Sequence, residues 1–280
     1  MTLVRSTQQQ IAQAAEWIKE ADVLLIGAGT GIGVDSGLPL FRGDESLWKA
    51  YPALKTQHHS FSDIVNPMWF EMNPRKAWGF FGHCLKLYRR TQPHKGFNIL
   101  KTWADTRPNC SMIFTSNVDG QFQKAGFREQ DIVECHGSIH HLQCSKACSD
   151  DIWPASDLEL EINETTLTLA SSIPRCPNCG EVARPNILMF NDGYWNHDRT
   201  YYQEDRFSQW AKDAGNILAI EIGAGIVIPS VRVISESYGS QLIRINPRHS
   251  KVPNRKTGIS LNMGGLEALN AINNLIRNQA

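Results

Sequence analysis

The chain has 280 residues, 41% of them apolar, and its 28 lysines and arginines balance 28 aspartates and glutamates. That length can bury one large core with smaller insertions, and the zero net charge leaves no overall positive field for a nucleic acid backbone, so a nucleic-acid partner is unlikely on this ground. Seven cysteines, an odd number, point to metal ligands or free thiols rather than a disulfide framework.

The opening stretch, MTLVRSTQQQIAQAAEWIKE, lacks the basic start and apolar run of a signal peptide, and nothing later approaches the roughly 20 apolar residues of a membrane span. A cytoplasmic protein with no membrane partner is expected. Ile11, Ala14, Ala15, Trp17 and Ile18 recur at helical spacing, after which DVLLIGAG reads as a buried strand running into a glycine turn. The same strand pattern returns in SMIFTSN (111–117), NILAIEIGAG (216–225) and QLIRINP (241–247), with helical patterns such as KGFNILKTWAD between them. Buried strands alternating with helices predict an α/β fold, a Rossmann-like, doubly wound parallel sheet. Two stretches break the rhythm. Residues 44–93, rich in Trp, Phe and His, read as a helical insertion, and 141–183 hold four cysteines and the acidic, threonine-rich SDLELEINETTLTLASS.

Gly27, Gly29, Gly31 and Gly33 follow the first strand, where glycine lets backbone approach a pyrophosphate and present N–H groups to it. The turn continues into DSGLPLFRGDESLW, where Pro39 and Gly43 oppose the long helix of a hydride-transfer enzyme. Cys144 and Cys148 form a C-x3-C pair and Cys176 and Cys179 a C-x2-C knuckle. Two such pairs can complete a tetrahedral thiolate shell with no open position, which predicts a structural zinc. His140 and His141 are expected on the surface or on a wall, and Cys84, Cys110 and Cys135 as thiols outside the metal shell.

Taken together, the ordered motifs GAGTGIGVDSGLPLFRG, TSNVDG, CHGS, the two cysteine pairs, RPNILMFND, IGAGIVIPSVR and RINP resemble the sirtuin family of NAD-dependent protein deacylases over roughly residues 20 to 270. The resemblance implies one catalytic domain. Residues 1–43, 94–140 and 184–280 would form its NAD-binding part, 44–93 the helical insertion and 141–183 the zinc-binding module, a small zinc-ribbon insertion. It also implies that NAD is consumed as a co-substrate: the acyl oxygen of a modified lysine attacks the anomeric carbon and expels nicotinamide. His136 then acts as general base toward the ribose 2′-hydroxyl, a task that suits an imidazole. Nicotinamide, O-acyl-ADP-ribose and free lysine result.

By the same resemblance Asn117 and Asp119 orient the ribose and hold the nicotinamide carboxamide, Asn117 counting as catalytic with His136. Gly27, Ala28 and Gly29, the mobile-loop residues Phe41 and Arg42, then Gly223, Ala224, Gly225 and Asn246 would contact the dinucleotide. The stretch NILMF (186–190) would offer an exposed edge to an extended acylated protein or peptide, with Ile187, Met189 and Phe190 contacting it. Phe81 and Cys84 stand where the branch that removes acidic acyl groups carries Tyr and Arg, so acetyl or apolar acyl groups are expected. Leu40, Ser116, Gly31, Asn191, Asp192, Gln121 and Phe122 depart from the family pattern. They resemble divergent microbial members, some of them mono-ADP-ribosyltransferases, and are expected to crowd the nicotinamide-ribose region. Transfer of ADP-ribose to protein, NAD hydrolysis, or non-catalytic NAD sensing are the rival readings.

Overall fold

The apolar runs read from the sequence become strands because each is covered by helices on both faces. The computed structural model describes residues 6–40, 44–51, 54, 60–107 and 111–278. The first three strands are β1 (Val23–Ala28), β2 (Ser111–Thr115) and β3 (Ile132–Glu134). Five further strands follow, β4 (Gly137–Cys144), β5 (Ile152–Pro154), β6 (Ile162–Asn163), β7 (Thr168–Leu169) and β8 (Ala183–Ile187). The chain then returns with β9 (Ile217–Ile222), β10 (Gln241–Ile245) and β11 (Thr257–Leu261). Six strands form one sheet in the order β11-β10-β9-β1-β2-β3, every pair parallel. Strand order reverses between β1 and β9, so a crevice opens at their carboxyl ends, where doubly wound sheets hold ligands.

Alternation along β1 divides the core. Leu24 and Ile26 face helices α1 (Thr7–Glu20), α6 (Lys95–Asp105) and α10 (Gly265–Asn278), packing with Ile18, Leu100 and Leu269. Val23 and Leu25 face the other side, against Phe207 of α8 (Asp198–Asp213) and Val231 of α9 (Ser230–Tyr238). Helix α1 begins at Ser6, whose side chain accepts from the Gln9 N–H while Gln9 reaches back to the Ser6 N–H, a capping box.

A second apolar core joins the two stretches that broke the sequence rhythm. Helices α2 (Asp44–Ala50), α3 (Phe61–Ile64), α4 (Met68–Met72) and α5 (Pro74–Arg90) supply Leu47, Ile64, Phe70, Trp78 and Phe81. The β5-β4-β8 sheet and the β6-β7 hairpin, with the segment leading into it, supply Leu142, Leu160, Leu167, Leu169 and Ile187. Helix α5 grips the hairpin through what it omits: a Cβ on Gly79 would lie 2.0 Å from the Leu167 carbonyl oxygen, and one on Gly82 2.8 Å from Ile162. Arg75 donates to the Leu169 and Ser171 carbonyls at 3.0 Å, and Arg89 to Leu158 at 2.8 Å.

An exposed helical Gly→Ala exchange ordinarily stabilises by about 1 kcal/mol. Gly79→Ala should reverse that sign, costing about 1–3 kcal/mol by overpacking against backbone. A fall in the urea midpoint with unchanged slope would check it.

Candidate active site

Two glycine turns meet at the switch point. Gly29 N–H donates to the Ile222 carbonyl at 3.0 Å and Gly31 N–H to the Gly223 carbonyl at 3.1 Å. A Cβ on Gly29 would stand 2.7 Å from Ala224 Cα, and one on Gly31 2.6 Å from Gly223 Cα, while Gly223 itself sits at φ +64°. These glycines therefore let backbone meet backbone, which corrects the expectation that their N–H groups are presented to a pyrophosphate. Gly27 and Ala28 belong to β1 itself, and a Cβ on Gly27 would fall 2.4 Å from Ser235 Oγ on α9. Gly225 is exposed at the open side of the turn, and Ala224 is buried beneath it.

The other strand ends add side chains to the same edge. Past β2, buried Asn117 donates through Nδ2 to the Gly29 carbonyl at 3.3 Å, while its Oδ1 is buried without a hydrogen-bond partner. Such an orphaned acceptor is what an incoming donor would satisfy. Asp119 is buried and accepts the Gln121 N–H at 3.0 Å. Burial pushes its carboxyl up to about 6, the Gln121 N–H opposing and the Glu134 carboxylate adding to the rise. Past β3, His136 is half-buried, its Nε2 3.5 Å from Ser230 Oγ and its ring also bonded to the Ser116 backbone. Desolvation lowers its basicity, and the Ser116 bond partly offsets this. Past β10, Asn246 donates to the Ala224 carbonyl at 3.1 Å and accepts from the N–H groups of Arg248 and His249. Its side chain is spent on holding the turn. Phe41 and Arg42 lie outside the described residues.

The substrate stretch differs from its expectation. β8 ends at Ile187, and the next three N–H groups are engaged: Leu188 with the His136 carbonyl, Met189 with Asp192 Oδ2 and Phe190 with the Val65 carbonyl. Ile187 and Met189 turn into the second core; Leu188 is exposed and Phe190 half-buried, its ring edge-on to Phe61. A continuous exposed edge over 186–190 is therefore not what forms, although β8 does end its sheet. The loop is fixed by a buried bidentate pair, Arg184 to Asp192, at 2.8 Å on both oxygens.

The four cysteines converge. Cys144 and Cys179 sulfurs lie 3.6 Å apart, as do Cys148 and Cys176, and all four lie within 4.8 Å of one another. Four Zn–S bonds of about 2.3 Å in a tetrahedron place sulfurs about 3.8 Å apart, so this shell fits Zn2+ with no position left for water. Cys84 is buried and Cys135 half-buried, apart from this cluster, and Cys110 lies outside the described residues.

The Sir2 family profile matches residues 29–209. The chain belongs to the Sir2 family. It is 26% identical to an NAD-dependent protein deacylase of Aquifex aeolicus (strain VF5), over 80% of this chain and 83% of that protein. It is 25% identical to NAD-dependent protein deacylase 1 of Caldanaerobacter subterraneus subsp. tengcongensis, over 90% and 93%. Its fold superposes on the crystal structure of a Sir2 homologue–NAD complex with a TM-score of 0.71 at 22% identity, covering 96% and 94% of the two chains.

Several residues of this Sir2 chain stand differently from their sequence expectation. Gln121 and Phe122 do not crowd the crevice: Phe122 packs on Phe97 and Phe127 in the main core, and buried Gln121 donates to the Thr91 carbonyl. His140, expected on the surface or on a wall, is half-buried, its Nε2 bonded to the Asp119 carbonyl at 3.0 Å and its ring closed over Gly120. His141 Nδ1 is buried without a hydrogen-bond partner. Sequence reasoning passed over Ser230, and also Arg232, which donates to the carbonyls of Ala224, Gly225 and His249. Ser230 follows Pro229 at a helix start, a pattern that reads as helix punctuation only.

Two outcomes follow from this geometry. Folded Asp119 holds its proton up to about 6 against an ordinary 3.8, so its ionisation burdens the fold increasingly as pH rises through that interval. Asp119→Asn should then raise stability by on the order of 2 kcal/mol at pH 8 and leave it nearly unchanged at pH 4, read from urea midpoints. Chelating the metal should lower Tm and open amide exchange across Gly137–Cys144 and Ala183–Ile187, while β1 and β9 stay protected.

Proposed function

We propose that this Sir2-family chain is an NAD-dependent protein-lysine deacylase yielding nicotinamide, O-acyl-ADP-ribose and free lysine. The observation that carries this reading is His136 at the carboxyl edge of the sheet, with Nε2 directed to the start of α9 and its carbonyl holding the Leu188 loop. One residue thus links the dinucleotide crevice to the acyl-lysine side. The names of the curated relatives, NAD-dependent protein deacylases, agree with it.

NAD enters as a co-substrate. The unpartnered Asn117 Oδ1 and the Asp119 carboxyl would orient its ribose and nicotinamide amide, and the Gly223–Gly225 turn held by Asn246 would receive the adenosine half. Once the acyl oxygen has displaced nicotinamide from the anomeric carbon, His136 would take the proton of the ribose 2′-hydroxyl at Nε2 as that oxygen attacks the imidate carbon; the lysine amine then leaves with a proton, and one water completes O-acyl-ADP-ribose. Leu188 and Phe190 would flank the substrate peptide. The acyl chain would meet the second core, where Phe81 packs on Phe70 and Phe80 and Cys84 lies 3.5 Å from the Tyr51 hydroxyl. Neither Phe81 nor Cys84 brings a cation there. Free thiols assembled for a metal suit a reducing cytoplasm.

An acetyl-lysine peptide incubated with the zinc-loaded protein should lose its acetyl mass only with NAD and yield O-acetyl-ADP-ribose. Nicotinamide release without loss of acetyl would overturn the deacylase reading in favour of hydrolysis or transfer. His136→Ala should cut deacylation by about 100-fold or more while NAD binding persists. Succinyl-lysine should turn over about tenfold or more slowly than acetyl-lysine, since its carboxylate would be buried without a partner.

A further inference from the structure

The imidazole of His136 has two polar neighbours, the Ser116 backbone and the Ser230 hydroxyl. The Ser116 N–H is already given to the Ala28 carbonyl at 3.1 Å, so the Ser116 backbone meets the His136 ring through its carbonyl. A carbonyl accepts, so with Nε2 turned to Ser230 the nitrogen that would give its hydrogen to Ser116 is Nδ1, which would leave the lone pair on Nε2. The side chain facing that lone pair is Ser230, with Oγ 3.5 Å from Nε2. Ser230 is the first residue of the nine-residue α9, and its hydroxyl makes no cap: Pro229 holds the cap position without a side-chain bond.

We propose that Ser230 is a positioning residue for His136, its hydroxyl donating to neutral Nε2 before the reaction and accepting from Nε2–H once the ring has taken a proton. This rests on the reading of His136 as base. A hydroxyl is both donor and acceptor, so one side chain serves both states of the imidazole by rotating about a single bond. The contact is long enough for a ribose hydroxyl to displace it from the lone pair, and close enough for Oγ to return when a half-buried imidazolium needs an acceptor. Alanine at this site would leave the charged ring with a bond at Nδ1 alone.

The test compares Ser230→Ala, Ser230→Val and Ser230→Thr with wild type in two assays: NAD-dependent deacylation of an acetyl-lysine peptide, and exchange of labelled nicotinamide into NAD in the presence of that peptide. Exchange reports the step before His136 acts. Ser230→Ala and Ser230→Val should lower the kcat of deacylation about tenfold, the size of one hydrogen bond to a charged group, with KM for NAD and the exchange rate within about twofold. Ser230→Thr, matching valine in shape but keeping the hydroxyl, should restore most of the rate. Wild-type kcat in Ser230→Ala, equal loss of exchange and deacylation, or failure of Ser230→Thr to rescue would each overturn the inference alone. A wild-type protein that releases no nicotinamide at all would overturn the deacylase reading and this inference with it.

Discussion

Everything at the carboxyl edge of the sheet depends on two backbone turns touching. The β1 turn donates Gly29 N–H and Gly31 N–H across to the β9 turn, and neither bond could close if a Cβ stood at either glycine or at Gly223. The contact anchors Asn117, whose amide reaches the Gly29 carbonyl, and sets the height of the Ala224 carbonyl that Asn246 and Arg232 secure. A crevice at a topological switch point is a property of the strand order. The close approach of the two turns there is a property of three missing side chains.

Beneath the β9 turn lies a charged network that keeps it level. Arg244 forms a bidentate pair with Glu221 at 2.7 and 2.8 Å, reaches Glu236 at 2.8 Å and donates to the Lys251 carbonyl. Both members of the central pair are almost wholly buried, so removing either would strand a charge. On the opposite flank, Arg184 and Asp192 do the same for the loop after β8. The two pairs fix the walls on either side of His136, one by way of the nucleotide turn and the other by way of the Leu188 loop. Rigid walls matter for a base that must meet a hydroxyl within about 3 Å.

Strands, helices and the metal shell were legible in the residues because each is a local pattern: an apolar run ending in glycine, a 3.6-residue period, cysteines three and four positions apart. DVLLIGAG and NILAIEIGAG became neighbouring strands, and the two cysteine pairs converged. What the sequence hid is direction and partnership. GAG reads alike whether its N–H groups face a ligand or a second turn. NILMF keeps an apolar rhythm to Phe190, yet the strand stops at Ile187 because Asp192, bound to Arg184, captures the Met189 N–H. Gln121 and Phe122 looked like crevice residues until the left-handed turn at Gly120 sent them inward. Ser230 was invisible because its partner is 94 residues away.

The grip of α5 on the β6-β7 hairpin combines main chain and side chains: Arg75 donates to hairpin carbonyls, Gly79 and Gly82 admit the Leu167 carbonyl and the Ile162 side chain, and His83 Nδ1 lies 2.6 Å from the Glu164 carboxylate. Glu164, Thr165 and Thr166 at its tip are exposed, and the turn is closed by Asn163 accepting from the N–H groups of Thr165 and Thr166. Thr165 and Thr166 are therefore a handle: a place where a dye, an affinity peptide or a surface tether could be attached while buried Leu167 and Leu169 and the His83–Glu164 contact keep the hairpin seated.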